Sequence, residues 1–148
     1  MSNEVSVSVT RQDRYRFLVD FGAGLPPTTA DEPPPLGGGA GPSPAQLLAT
    51  AVANCLSASL IFANAKFKED PGALTATATC EIGRNERNRL RVTSIKVKIA
   101  LGAAPASFAY LDRALAQFED FCTVSQSVQA GIPLAITVTG PDGRVLKS

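Results

Sequence analysis

The strongest constraint on the fold is an uncharged stretch, from Ser43 to Ala65, that has the features of one long helix. Ser43 and Gln46 form a capping-box pattern around Pro44 at the first helical position, and good helix formers dominate the rest of the stretch. A helix without charge on any side is normally buried. At 1.5 Å per residue it would run roughly 35 Å, about the width of a small domain. We therefore predict a buried core helix with Cys55 at its midpoint.

The same stretch is long enough to suggest a membrane span, but its composition argues against one. Ala, Ser, Thr, Asn and Gln make up much of it, whereas a spanning helix needs about 20 predominantly apolar residues. No basic segment with a cleavage site precedes it, so we see no secretory signal. We expect a cytoplasmic protein that does not act at a membrane.

Composition narrows the classes of function. The 148 residues include 45% hydrophobic and 18% charged residues, which suits a single domain over residues 1–148. A net charge of +1 argues against nucleic-acid binding. There is no histidine, which removes histidine acid–base catalysis and most zinc sites. We expect neither a metal nor another cofactor.

Alternating apolar residues predict a β-hairpin at the N-terminus. One run contains Val5, Val7 and Val9, and the second covers residues 15–21. We place the turn at residues 11–13. Arg14 and Arg16 then share the polar face of the second strand.

A segment rich in proline and glycine, residues 22–42, separates this hairpin from the long helix. It holds six of the eleven prolines and six of the twelve glycines, so we interpret it as an extended loop. A loop of this length in a compact domain is usually functional or disordered. Asp31 and Glu32 are its carboxylates.

The rest of the chain alternates strands and helices. The patterns predict strands over residues 74–82, 90–101 and 134–138, a helix over 105–121 and a short helix opened by a capping box at Thr123 and Gln126. The alternation of apolar and polar residues shifts by one position near residues 93–94, which indicates a β-bulge. This order predicts an α+β domain.

The three cysteines differ in what their positions imply. Cys122 precedes a predicted helix, whose unpaired N–H groups favour a thiolate, although Glu119 and Asp120 oppose it. Cys55 lies at mid-helix and would need an arginine for activation. Cys80 lies on the apolar face of a strand. By spacing alone, each cysteine is most simply a small core residue.

Two stretches resemble the OsmC/Ohr family of peroxide-reducing proteins. GPSPAQLLATAVANCLSASLIF, residues 41–62, is similar to the family's central helix with its peroxidatic cysteine. FEDFCTVSQSVQAGIPLAITV, residues 118–138, is similar to the segment with the family's second cysteine. The resemblance implies an OsmC-like fold, with antiparallel sheets packed around a long central helix in an intertwined homodimer.

The resemblance also implies an activity, the thiol-dependent reduction of organic hydroperoxides. By position, Cys55 matches the peroxidatic thiol and Cys122 the resolving thiol, whereas Cys80 matches no catalytic position. A dithiol reductant, lipoyl-type or another thiol, would restore the enzyme. The family needs no metal or haem for this reaction.

One departure from the family pattern concerns a glutamate. Hydroperoxide reductases of this family place it ten residues before the peroxidatic cysteine, where it holds an arginine over the thiolate. Ala45 occupies that position here. Asp31 or Glu32 could replace the missing carboxylate. We expect Glu32 to approach Arg14 or Arg16 near Cys55, within one chain or across the dimer interface.

The arginine itself comes from the first hairpin in relatives, which points to Arg11, Arg14 or Arg16. We favour Arg14 and Arg16, because they are predicted to share a strand face. Charged residues on a solvated strand would give the same pattern.

Two other classes of function remain open. The missing glutamate favours a non-catalytic OsmC-like protein that binds a small ligand or senses redox state. A soluble domain with buried, inert thiols is the third possibility. The paired cysteines favour the enzyme, because a binding module needs neither of them.

Overall fold

The computed structural model describes residues 3–148, which form two compact units, residues 3–47 and 48–148. The first unit contains an antiparallel sheet of three strands, β1 (Ser8–Asp13), β2 (Arg16–Asp20) and β3 (Thr28–Ala30), in that order. β3 lies inside the segment that we interpreted as a continuous loop. It pairs with β2, with Phe17 opposite Ala30.

The hairpin turn differs from its predicted position. β1 continues through the expected turn to Asp13, and the chain turns at Arg14 and Tyr15. Arg14 adopts a left-handed conformation with φ of 47°. The apolar alternation ends at Val9, but pairing with β2 continues through polar residues, because a ladder needs only backbone groups. Arg14 therefore lies in the turn and not on a strand face beside Arg16.

The long helix, α1 (Pro44–Ala65), begins and ends as predicted. Its capping box is formed: the Ser43 N–H donates to Gln46 Oε1 at 2.8 Å, and the Gln46 N–H donates to Ser43 Oγ at 3.3 Å. These two bonds satisfy backbone donors that have no partner within the helix.

Burial of α1 is one-sided in the single chain. Its inward face contributes Val52, Leu56 and Leu60 to the core, all without exposure. Ile61 on the opposite face is 48% exposed, and Phe62, on the flank that also carries Cys55, is 54% exposed. One chain therefore buries only one face of α1, and the prediction of burial on all sides depends on the expected homodimer. By length and composition alone α1 could cross a membrane, a test that core helices also pass, so it carries little weight.

The second unit contains a mixed sheet in the order β4–β5–β6–β7. Its strands are β4 (Thr75–Arg84), β5 (Leu90–Ala100), β6 (Leu134–Thr139) and β7 (Val145–Lys147). β5 and β6 pair in parallel, and the other pairs are antiparallel. A parallel pair needs a long crossover connection, and here it contains α2 (Leu111–Gln117) and α3 (Thr123–Val128).

Local patterns in this sheet agree with the predictions. The register of β4 and β5 shifts so that Ser94 pairs with Glu81 and Val92 with Ile82, which leaves Thr93 as the bulge residue. Alternate residues of β5, including Ile95 and Ile99, are buried against α1. The architecture is α+β.

The predicted helix over residues 105–121 is instead three pieces. A 3₁₀ turn at Pro105–Ser107 and another at Phe118–Phe121 flank α2. The Glu69 carboxylate accepts the N–H groups of Ala109 and Tyr110, both at 3.0 Å, just before α2 begins. The chain therefore contacts a distant residue at the point where the periodicity predicted a continuous helix.

Candidate active site

Cys122 lies at the start of α3 and caps it. Its Sγ accepts a hydrogen bond from the Ser125 N–H at 3.4 Å, and the residue is fully buried. The predicted cap, Thr123, is the first helical residue instead. Gln126, the second residue of the predicted capping box, donates from its side-chain Nε2 to the Glu119 carbonyl at 3.0 Å. A thiol can replace a hydroxyl as the cap acceptor, which the residue preferences at caps did not suggest.

Cys55 on α1 meets Cys122 across the core of the second unit. Cys122 and the backbone N–H groups of Thr123 and Val124 lie close enough to Cys55 to act on its pKa. Cys55 is half-buried, so it is the more accessible of the pair. The structure therefore brings together the two cysteines that the family resemblance pairs, with the first turn of α3 near Cys55.

The surroundings of Cys55 act on its acidity in opposite directions. Burial raises the pKa of the Cys55 thiol above its ordinary value, and Cys122 raises it further. The N–H groups of Val124 and Thr123 lower that pKa without offsetting the burial. A thiolate at this position therefore needs a cation in addition to the backbone donors.

Cys80 occupies a different environment. It lies on β4 opposite Ile95 and packs against the hydrophobic core. Burial raises the pKa of the Cys80 thiol. These features are those of a small core residue, which is the role that the sequence predicts for Cys80.

The arginines of the first hairpin have distinct partners within the first unit. Arg14 Nη2 donates to the carbonyls of Leu36 at 2.9 Å and Pro35 at 3.3 Å. Arg11 Nε donates to the Arg14 carbonyl at 2.8 Å. Arg16, on β2, lies within electrostatic reach of Asp31.

Asp31 organises the proline-rich segment. The residue is 4% exposed, and its carboxylate accepts the N–H groups of Ala40 at 3.1 Å, Gly38 at 3.2 Å and Glu32 at 2.8 Å. The bond from Ala40 is the main cause that lowers the pKa of Asp31, with Arg16 contributing and burial opposing. The segment is thus folded around one carboxylate.

The expected approach of Glu32 to an arginine, within the chain or across a dimer interface, stays a prediction, and no ion pair of Glu32 is recorded among residues 3–148. The two ion pairs recorded among residues 3–148 are Lys96–Glu81 and Lys147–Glu119. The carboxylate beside Arg16 is that of Asp31, the alternative that the sequence left open. Asp31 follows β3 directly, and β3 pairs with the strand that carries Arg16, so the sheet brings these two side chains together.

Sequence reasoning did not single out a cluster of aromatic rings near the cysteine segments. The rings of Phe62 and Phe121 meet edge to face, with centroids 5.3 Å apart. Lys66 Nζ lies 4.0 Å from the Phe121 centroid and 5.2 Å from that of Phe62. The available signals were the position of Phe121 next to Cys122 and the seven-residue step from Cys55 to Phe62.

A cleft of about 520 Å³ lies elsewhere in the second unit, on the polar face of the sheet. Thr77, Lys98, Thr137 and Val145 contribute to its lining, and no cysteine does. It is separate from the thiol pair. Within residues 3–148 there is also no cluster of three or more His, Cys, Asp or Glu side chains that could hold a metal ion.

The chain is similar to known proteins in sequence and in fold. A family model described as OsmC-like protein matches residues 37–137. No curated protein matches the sequence significantly. An OsmC-like protein of unknown function from Vibrio cholerae superposes with a TM-score of 0.78 at 17% identity, over 93% of this chain and 99% of that one.

Two further solved structures carry functional names. An organic hydroperoxide resistance protein from Legionella pneumophila superposes with a TM-score of 0.73 at 14% identity, over 93% of this chain and 99% of that one. Another from Elizabethkingia anophelis gives 0.68 at 21% identity, over 95% and 99%. At these identities the likeness shows a shared fold.

Proposed function

This chain belongs to the OsmC-like protein family, and on that premise we propose that it is a thiol-dependent reductase of organic hydroperoxides. The observation that carries the proposal is the proximity of Cys122 to Cys55, close enough to shift the pKa of the Cys55 thiol. Structural neighbours named organic hydroperoxide resistance proteins add support from the fold.

In the proposed first step, the Cys55 thiolate attacks the terminal oxygen of a hydroperoxide. An S–O bond forms, the O–O bond breaks, and the alkoxide leaves as the alcohol after taking a proton. Cys55 becomes a sulfenic acid. The N–H groups of Val124 and Thr123, which lie close to the Cys55 sulfur, favour its charged form.

In the second step, the Cys122 thiolate attacks the sulfur of the Cys55 sulfenic acid. The S–S bond forms, hydroxide leaves and is released as water, and the pair is a disulfide. An external dithiol, lipoyl-type or another thiol, then reduces this disulfide by two exchange reactions and is itself oxidised. The proximity of the thiols in the reduced protein supports this step.

Activation of Cys55 requires a cation, and we assign it to an arginine of the first hairpin, Arg16 ahead of Arg14. The Asp31 carboxylate lies within electrostatic reach of Arg16, and an anchored guanidinium loses less rotamer entropy on binding a thiolate. Arg14 already donates to two loop carbonyls. We therefore assign the role of the missing carboxylate to Asp31.

We also propose that the protein is a cytoplasmic homodimer. The outward face of α1 carries no charge and exposes Ile61, and Phe62 on its flank is also exposed. A symmetric contact with a second copy would remove this apolar surface from water.

A non-catalytic role as a small-ligand-binding or redox-sensing protein is the second candidate. The raised pKa of Cys55 and the alanine at position 45 favour it. Thiol titration with one equivalent of cumene hydroperoxide separates the two. The enzyme loses two thiols rapidly, whereas slow or unselective loss would refute the peroxidase and leave the second candidate.

A further inference from the structure

We propose that Phe121 and Lys66 are positioning residues that hold the Cys122 segment against α1 and thereby set the rate of disulfide formation. Together with Phe62 they form a cluster that we call the aromatic clamp. The inference deepens the proposed function, on which its kinetic part rests.

The geometry of the aromatic clamp is that of a specific contact. The two phenyl rings meet at an interplanar angle of 82°, an edge-to-face arrangement in which positive ring edge meets negative ring face. The Lys66 ammonium lies 4.0 Å from the Phe121 centroid, within the range of a cation–π interaction. The same ammonium also contacts the ring of Phe62.

The aromatic clamp joins the two segments that carry the thiols. Phe62 follows Cys55 by seven residues on α1, about two helical turns, so both project from nearly the same side. Phe121 directly precedes Cys122. A contact between Phe62 and Phe121 therefore restrains the approach of Cys122 toward the helix that bears Cys55.

The turn before Cys122 is anchored separately at its base. Phe118 is fully buried in the core, and Glu119 forms an ion pair with Lys147 at 2.6 Å. Phe121, at the other end of the turn, is 38% exposed. Removing the clamp thus leaves the core anchor in place and loosens the end that carries Cys122.

This restraint matters for the step that forms the disulfide. The Cys122 sulfur must reach the Cys55 sulfenic sulfur, forming one S–S bond and releasing one water. The rate of such an intramolecular step depends on how well the two reacting groups are held together. The reaction of Cys55 with peroxide precedes this step and does not involve Cys122 as a nucleophile.

The test compares Phe121→Ala, Lys66→Met and Lys66→Arg with wild type, and Lys68→Met as the matched control at another exposed lysine. The first readout is the effective concentration of the Cys55–Cys122 pair in glutathione redox buffers, which needs no peroxide. The second is single-turnover kinetics, in which the peroxide-dependent phase reports sulfenic acid formation and the peroxide-independent phase reports disulfide formation.

We expect Phe121→Ala to lower the effective concentration, and to slow the peroxide-independent phase, by roughly tenfold. Lys66→Met should do the same by about threefold, and Lys66→Arg should restore wild-type values because arginine keeps the cation over the ring. The Lys68→Met variant should match wild type. In Phe121→Ala and Lys66→Met the peroxide-dependent phase should slow less than the peroxide-independent phase, because the segment also carries the Thr123 and Val124 N–H groups that favour the Cys55 thiolate.

Unchanged effective concentration in both Phe121→Ala and Lys66→Met would overturn the inference. So would equal slowing of both kinetic phases, which would indicate a general disturbance. If wild type lacks a peroxide-dependent phase but the variants still lower the effective concentration, the proposed function fails and the clamp stands. If Phe121→Ala loses its near-UV circular dichroism, and hence its tertiary packing, the test rests on Lys66→Met and on whether Lys66→Arg restores wild-type values.

Discussion

The Cys55 thiol on α1 lies close enough to the Cys122 thiol for the two to interact, and the Cys122 sulfur also caps α3. One sulfur therefore orients a helix and lies near the candidate peroxidatic thiol. The cap places the N–H groups of the first turn of α3 near the Cys55 sulfur. The short helix thus links the position of Cys122 to the acidity of Cys55.

The first prediction separates the roles of the three thiols. Cys55→Ser should abolish the rapid reaction with cumene hydroperoxide, because it removes the attacking sulfur. Cys122→Ser should consume one equivalent and stop at a sulfenic acid that dimedone traps, as mass spectrometry can show. Cys80→Ser is the control and should retain the wild-type rate. Full activity of Cys55→Ser would exclude the mechanism.

The second prediction concerns the cation. Because burial raises the pKa of Cys55, loss of the activating arginine should move the midpoint of Cys55 alkylation against pH upward. Arg16→Gln should slow the peroxide reaction at neutral pH by at least about tenfold, roughly 1.4 kcal/mol in the barrier. Arg14→Gln is the matched comparison and should have the smaller effect. Equal rates in Arg16→Gln and wild type would remove Arg16 from the site.

The third prediction concerns Asp31 and pH. The pKa of Asp31 is lower in the folded than in the unfolded state. The ionised carboxylate therefore stabilises the fold at pH values above the unfolded-state pKa, and this stabilisation is lost as the pH falls through the folded-state pKa. Asp31→Asn should therefore be less stable than wild type at pH 7, with the difference shrinking below about pH 4. Urea denaturation at both pH values measures this.

Glu32→Gln provides the control for Asp31, since the two residues are neighbours and only Asp31 accepts the three loop N–H groups. Its denaturation curve should follow that of wild type. A constant difference between Asp31→Asn and wild type from pH 7 to pH 3 would contradict the assignment.

The fourth prediction concerns assembly. Sedimentation at micromolar concentration should show a dimer, because the exposed apolar face of α1 is then covered. Ile61→Lys should shift the protein toward monomer by placing a charge in that contact. Ala116→Lys adds the same charge on the exposed side of α2 and should leave the dimer intact. A wild-type monomer would refute the proposed homodimer.

The fifth prediction concerns the start of α2. Glu69→Ala removes the acceptor for the N–H groups of Ala109 and Tyr110 and should cost about 1 kcal/mol, as loss of a helix cap does. Glu86→Ala, in the exposed turn between β4 and β5, is the control and should be neutral. Identical unfolding midpoints for the two variants would show that the Glu69 contact contributes nothing.

Local signals in the sequence predicted much of the fold. The capping box at Ser43 and Gln46 marked the start of α1 correctly, because both partners lie within one helical turn. The shift in the alternation of apolar and polar residues located the bulge at Thr93. The family resemblance predicted the fold and the pairing of Cys55 with Cys122.

Tertiary structure decided the features that depend on distant segments. Glu69 ends up at the start of α2, β5 and β6 pair in parallel, and Asp31 lies beside Arg16. Periodicity and capping patterns report on neighbours within a few residues, so they cannot show which remote side chain supplies a hydrogen bond or a charge. The sequence determined most of the elements, and the family resemblance suggested the cysteine pair. Chain packing formed β3, divided the segment over residues 105–121 and chose the groups that surround the thiols.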